Sequence, residues 1–212
     1  GTFTPPQIVL LDRSFLTTLP DREISSGLGE ILKLGLGCDE VLFRQLEELT
    51  AQVAFRDRFQ VQGQEVLSRS ISVMIRELEP NIFEDDLHRA VDLGHTFSQV
   101  LELHDGAESL RHGEAVALDL QLSALIAHAR GLLSARTLAR LAALVDTFRL
   151  PSRPPELDPE LLWRSLLERT RHRGGSQRVP LPREYGSCVF VNDISAREVD
   201  RAYGALVHGG LG

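Results

Sequence analysis

From His112 to Arg130 the chain is apolar on most faces of any helix it could form. A helix that is hydrophobic all round needs neighbours on every side, so this stretch predicts a central buried helix with the rest of the chain packed about it. Gly131 ends it. Helical spacing recurs on both sides. Leu42, Leu46 and Leu49 follow a cap at Asp39, and Leu67, Ile71, Met74 and Leu78 form a stripe limited by Pro80. Leu138, Leu141, Val145 and Phe148 follow a cap at Ser134 and stop before Pro151. Further helices are expected at Leu19-Pro20-Asp21, from a Ser26 cap to Lys33, from about Asp85 to Leu103, from Leu161 to Arg171, and from a Ser195 cap to about Val207. Strand is scarce. Gln7 to Asp12 reads as a short buried strand, and Val179 to Leu181 with Cys188 to Val191 as a small hairpin around Tyr185-Gly186. The fold class is therefore mainly α, a multihelical domain over 1–212 with a short N-terminal strand and a small β-hairpin.

Composition narrows the function. The 212 residues carry a net charge of −7 and no basic tract, which disfavours nucleic-acid binding because that binding neutralises phosphates. No run of ~18 apolar residues is present to span a bilayer. Two cysteines, Cys38 and Cys188, are too few for a disulfide framework or a thiolate zinc site and are expected to be inert thiols. No secretory pattern opens the chain, so a cytoplasmic location is expected. The chain starts at Gly1 and its only methionine is Met74, which suggests a removed tag or a segment of something longer. Of the 23 basic residues only Lys33 is a lysine.

Three polar segments stand out of the helical background. In the first, Glu30 and Lys33 lie three apart within Ser26-Gly27-Leu28-Gly29-Glu30-Ile31-Leu32-Lys33, embedded among leucines. Such a pair is either a snorkelling surface pair or a site. In the second, His88, Asp92, His95 and Gln99 are spaced 4, 3 and 4 apart and would share one face of the expected helix over 85–103, either a solvated face or a site. The third is Arg111-His112-Gly113-Glu114-Ala115-Val116, at the start of the most apolar helix. His95 and His112 are expected on consecutive helices joined by a short loop around Gly106, an arrangement that can bring them together if the pair is antiparallel. One carboxylate and two imidazoles make a catalytic zinc set with positions open for water or substrate. HExxH, G-x-G-x-x-G, Walker A and G-x-S-x-G motifs are missing. Arg171, His172 and Arg173 precede Gly174-Gly175 and read equally as a phosphate-binding turn or a solvated basic one.

Taken in order, Gly27 to Lys33 (G-x-x-E-x-x-K), Gly94 to Phe97 (G-H-T-F) and His112 to Val116 (H-G-E-A-V) resemble the 3-dehydroquinate synthase superfamily, the sugar phosphate cyclases. The openings Gly1-Thr2-Phe3 and Leu19-Pro20-Asp21-Arg22-Glu23, and Val189 to Asp193 near the end, extend the resemblance over essentially the whole chain. The resemblance implies the C-terminal, helical, metal-binding domain of a two-domain enzyme, with the N-terminal NAD-binding domain absent from this chain and supplied in cis or in trans. It implies Zn2+ (or Co2+) held by Glu30, His95 and His112. It gives Lys33 and Asp92 catalytic roles, and substrate contacts to Lys33, Arg89, Asp92 and Gln99; Arg173 is added to these contacts from its basic turn before Gly174-Gly175. The implied chemistry is transient oxidation of a sugar phosphate by NAD, phosphate elimination, re-reduction and aldol closure, in an enzyme expected to be a homodimer.

Departures from the dehydroquinate synthase pattern refine this. Asp92 stands where that enzyme has Asn, Gln99 where it has a second His, and Met74 where it has a substrate-binding Lys; His88, with Arg89 beside it, falls on its arginine. The resemblance is greatest to the sedoheptulose 7-phosphate cyclases of cyclitol biosynthesis, whose type member is 2-epi-5-epi-valiolone synthase. 3-Dehydroquinate synthase and 2-deoxy-scyllo-inosose synthase are the enzymatic alternatives, and a non-catalytic helical metal-binding or structural domain the alternative of another class.

Overall fold

The computed structural model describes residues 4, 6–49, 63–103, 109–172, 174–209 and 211. Arg173, Gly1 to Phe3 and residues 104–106, where a connecting loop was expected, lie outside them. Eight α-helices are formed among the described residues: α1 (Asp21–Gly37), α2 (Glu40–Glu48), α3 (Gly63–Leu78), α4 (Ser98–Glu102), α5 (His112–Ala129), α6 (Ala135–Thr147), α7 (Pro159–His172) and α8 (Ala196–Gly209). Short 3-10 turns cover Arg13–Thr17, Glu79–Asn81 and Ala90–Asp92. Strands β1 (Val179–Pro182) and β2 (Cys188–Val191) pair antiparallel, Val179 opposite Val191. The mainly α reading and the hairpin hold.

Helix α5 is the buried centre, packed against α1, α4, α6, α8 and β1. Val116, Leu118, Leu120 and Leu122 are inaccessible or nearly so. Its polar residues survive burial because each is bonded. Gln121 Nε2 donates to the carbonyls of Ala117 (3.0 Å) and Pro151 (2.8 Å), and Ser123 Oγ to Asp119 Oδ1 at 3.1 Å. Two expected caps form. Asp39 Oδ1 accepts from the Leu42 amide at 2.7 Å, and Ser134 Oγ from that of Thr137 at 3.2 Å. Burial pushes the Cys38 thiol up to about 12 and that of Cys188 upward as well, so neither is a ready nucleophile.

Three expectations are corrected. Helix α1 runs unbroken from Asp21, and Ser26 lies inside it rather than capping it; the Pro20 carbonyl already receives the amides of Glu23 and Ile24 at 3.0 and 3.2 Å. The N-terminal strand over 7–12 does not form. Ile8, Val9, Leu10 and Leu11 are exposed, and the one sheet among the described residues is β1 with β2. A strand needs a neighbouring ladder for its amides and carbonyls, whatever its side chains favour. The helix over 85–103 is broken into the Ala90–Asp92 turn, a bend at Gly94 and α4. Gly94 has φ +77°, a conformation that a right-handed helix excludes. His88, Asp92, His95 and Gln99 therefore do not form one helical face. Among the described residues, no helix is long and apolar enough to cross a membrane.

Candidate metal centre

Two glycines let α1 and α5 touch. A Cβ on Gly29 would lie 2.2 Å from the Gly113 carbonyl oxygen, and one on Gly113 would lie 1.8 Å from that of Ser26. The Gly113 amide instead donates to Ser26 Oγ at 3.0 Å. Ion pairs fasten the crossing. Arg22 Nε and Nη2 grip both oxygens of Glu114 at 2.6 and 2.7 Å, and Arg111 Nε lies 2.8 Å from Glu23. Glu30, one residue past the contact on α1, thereby meets His112, the first residue of α5.

His95 arrives on the bend between the 3-10 turn and α4. The close approach at Gly94, where a Cβ would sit 3.0 Å from Val116 Cγ1, lays the bend on α5. Asp119, buried on α5, accepts the amides of Phe97 and Ser98 (2.9 Å for the latter), tying the start of α4 to the core. From α7, Arg169 donates to the His95 carbonyl and, at 3.0 Å, to Asp92 Oδ2.

The outcome is a convergence of three atoms that could ligate a metal ion. Glu30 Oε1 lies 3.2 Å from His112 Nε2 and 3.7 Å from His95 Nε2, and one atom of each residue lies within 4.8 Å of the others. Both rings present Nδ1 to an oxygen acceptor. His95 Nδ1 is 3.3 Å from the Leu93 carbonyl, and His112 Nδ1 is 3.1 Å from Glu102 Oε2. Those acceptors place the proton of each neutral ring on Nδ1 and leave Nε2 as a lone pair. Glu30 Oε1 is buried and makes no hydrogen bond. With both rings in that tautomer three electron-pair donors face one another, an arrangement that a divalent cation satisfies, and Zn2+ suits the one-carboxylate, two-imidazole set.

Electrostatics keeps these candidate ligands in a form that can bind a cation. Lys33 is 3% exposed, and its Nζ lies 2.5 Å from Glu30 Oε2. Burial alone would raise the Glu30 pKa. The charge and hydrogen bond of Lys33, aided by either imidazole when it carries a second proton, outweigh it and hold the carboxyl below its ordinary value. Burial and the Lys33 charge lower the His95 pKa against the pull of Glu30, so the ring stays neutral further into acid.

The sequence-predicted residues divide. Glu30, Lys33, His95 and His112 come together. Asp92 is buried beside them, its Oδ1 3.7 Å from Arg89 Nη1, while Arg89 also pairs with Glu84 at 2.6 Å. Gln99 stands exposed on α4, and Arg173 is not among the described residues. Sequence reasoning missed Arg169, Glu102 and Asp119. Only Asp119, a lone carboxylate inside the most apolar helix, carried a signal. A separate cavity of about 680 Å3 between the Arg13–Thr17 turn and α1 is lined by Leu16, Leu19, Ile24 and Leu28 and contains none of the predicted site residues.

Comparison with known proteins bears on this geometry. The family model described as 3-dehydroquinate synthase C-terminal matches residues 27–171. The chain is 44% identical over 95% of its length to a 2-epi-5-epi-valiolone synthase of Streptomyces albus, covering 50% of that protein. It is 42% identical over 97% of its length to one of an Actinomyces species, covering 55%. It thus spans about half the length of the curated relatives it matches. The solved structure of 2-epi-5-epi-valiolone synthase from Streptomyces hygroscopicus subsp. jinggangensis, with NAD+ and Zn2+ bound, superposes with a TM-score of 0.91 at 41% identity, over 97% of this chain and 57% of that one.

Proposed function

The chain belongs to the 3-dehydroquinate synthase C-terminal family, and from that premise we propose that it is the metal- and substrate-binding part of a sugar phosphate cyclase. The proposed reaction converts sedoheptulose 7-phosphate to a valiolone-type cyclitol with loss of phosphate. The observation that carries this reading is the convergence of Glu30 Oε1, buried and without a hydrogen-bond partner, with the Nε2 atoms of His95 and His112. Identity of 42–44% to valiolone synthases supports the choice of substrate.

Glu30, His95 and His112 would hold the zinc ion, which when bound would polarise a substrate carbonyl and lower the pKa of a coordinated hydroxyl. NAD would be held by a nucleotide-binding part, in cis or in trans. The remaining work falls to this chain's own side chains. Lys33 keeps Glu30 ionised and offers its ammonium as a compact point charge to substrate oxygens. Asp92, fixed between Arg89 and Arg169, accepts from a substrate hydroxyl, and Arg89 adds positive charge for oxygens of the substrate. Gln99 and Arg173 complete the substrate contacts in this reading.

The test mixes the zinc-loaded chain with an NAD-binding half, NAD and sedoheptulose 7-phosphate, and follows phosphate release. Release is expected, and Glu30→Ala and His112→Ala abolish both zinc uptake and release. Zinc uptake without release would refute the cyclase reading and leave a metal-binding domain. Release only from the carboxylate-bearing substrate of 3-dehydroquinate synthase would reassign the substrate.

A further inference from the structure

We propose that Glu102 is the positioning residue of the metal centre: its carboxylate fixes the tautomer and orientation of His112 so that Nε2, not Nδ1, faces the cation. The inference rests on the metal-site reading above and goes beyond it, because Glu102 contributes no ligand atom to the convergent set. Its Oε2 lies 3.1 Å from His112 Nδ1, while Nε2 of the same ring lies 3.2 Å from Glu30 Oε1. A carboxylate can only accept, so Nδ1 must donate, and the lone pair is left on the side of Glu30. An imidazole whose far nitrogen is held in this way is a better-aimed and more basic ligand.

The backbone explains why position 102 can do this. Glu102 is the last residue of α4, and the first turn of α4 is anchored by Asp119 through the amides of Phe97 and Ser98. This short helix spans the gap between the two histidines. His95 precedes its start, and Glu102 reaches His112 from its end. His112 needs such support more than His95 does. Its side chain is 52% exposed, whereas the His95 ring is more enclosed and is aimed by the Leu93 carbonyl on its own bend. Without Glu102 the His112 ring could turn over or exchange its proton between nitrogens.

The experiment measures zinc affinity of the chain by competition with a chromophoric chelator. Ring 15N shifts of His112 and the melting temperature are read on the metal-free chain. Glu102→Ala should weaken zinc binding roughly tenfold to a hundredfold. It should move the neutral His112 ring from Nδ1–H toward Nε2–H and leave the melting temperature within about two degrees. Glu102→Gln keeps an acceptor oxygen on the same stem and should recover part of the affinity; it also serves if the alanine variant does not fold. Unchanged zinc affinity, an unchanged tautomer, or a glutamine variant no better than alanine each overturns the proposal. A wild-type chain that takes up no zinc overturns it together with the metal centre. Zinc uptake without phosphate release in the reconstituted mixture removes only the cyclase reading, and the Glu102 result still stands or falls by itself.

Discussion

Gly27 and Gly29 lie two residues apart on α1, and the structure predicts opposite consequences of replacing them with alanine. Gly27 is exposed, and a Cβ there meets nothing within 4 Å. Gly27→Ala should therefore show only the helix-propensity gain, about 0.8–1 kcal/mol. At Gly29 the same gain is opposed by a Cβ 2.2 Å from the Gly113 carbonyl oxygen, which is backbone and cannot rotate away. Relief requires α1 and α5 to part by roughly 1 Å, and a gap of that order forfeits about a quarter to a half of each packing contact across it. Overpacking costs about 1–3 kcal/mol, and a contact this short with backbone puts it at the top of that range, about 3 kcal/mol, so the net loss after the propensity gain is about 2 kcal/mol. At about 2–4 °C per kcal/mol for a chain of this size, calorimetry of the metal-free chain should show Gly29→Ala melting about 4–8 °C lower and Gly27→Ala about 2–4 °C higher. Zinc affinity should fall in Gly29→Ala alone, since separating the helices draws Glu30 away from His112 Nε2. A Gly29→Ala chain that melts at or above wild type and binds zinc equally well would refute the close crossing on which the proposed metal centre is built.

Other positions give equally direct tests. Lys33→Met keeps the length of the stem but removes the charge that holds Glu30 ionised. The Glu30 carboxyl then titrates higher, and zinc affinity measured against pH should fall away at a higher pH than in wild type. Glu198 is held at a pKa of about 2 by Arg130 and Ser195 against an ordinary 4.5. Its contribution to stability is therefore complete above about pH 4.5 and lost as pH falls through 2. The shift corresponds to about 3 kcal/mol at face value and about 1–2 kcal/mol after solvent screening, and Glu198→Gln should flatten that acid limb in a denaturation series. Tyr203→Phe removes a hydroxyl that donates to the Pro155 carbonyl and accepts from the Leu157 amide, both at 2.9 Å. It should lower stability by about 1–3 kcal/mol and speed proteolysis in the proline-rich 151–159 segment.

What the sequence disclosed follows the range of the forces involved. Glu30 and Lys33 could be paired on paper because one helical turn sets their spacing, whatever packs around them. The central helix was legible because an all-apolar surface has no solvated solution. Ser26 was misread for the complementary reason. A serine near a helix start is ordinarily a cap, but its hydroxyl here serves the Gly113 amide of another helix, 87 residues away. The bend that carries His95 was hidden in the same way. Gly94 by itself is tolerated inside a helix, and what makes it a bend is its seat on Val116 and the carboxylate of Asp119, which takes the amides that a continuing helix would have used. Residues 7–12 show the limit from the other side, since their side chains specify a strand while only a partner strand can supply its hydrogen bonds. Arg169 is the sharpest case. It is one of 22 arginines, and nothing local distinguishes it. Its grip on the His95 carbonyl and on Asp92 comes from where α7 passes the bend. The proposed ligands are therefore written in local spacing, whereas the groups that would aim them are chosen by the crossing of helices distant in sequence. Substitutions at those aiming groups should alter metal affinity without altering any motif.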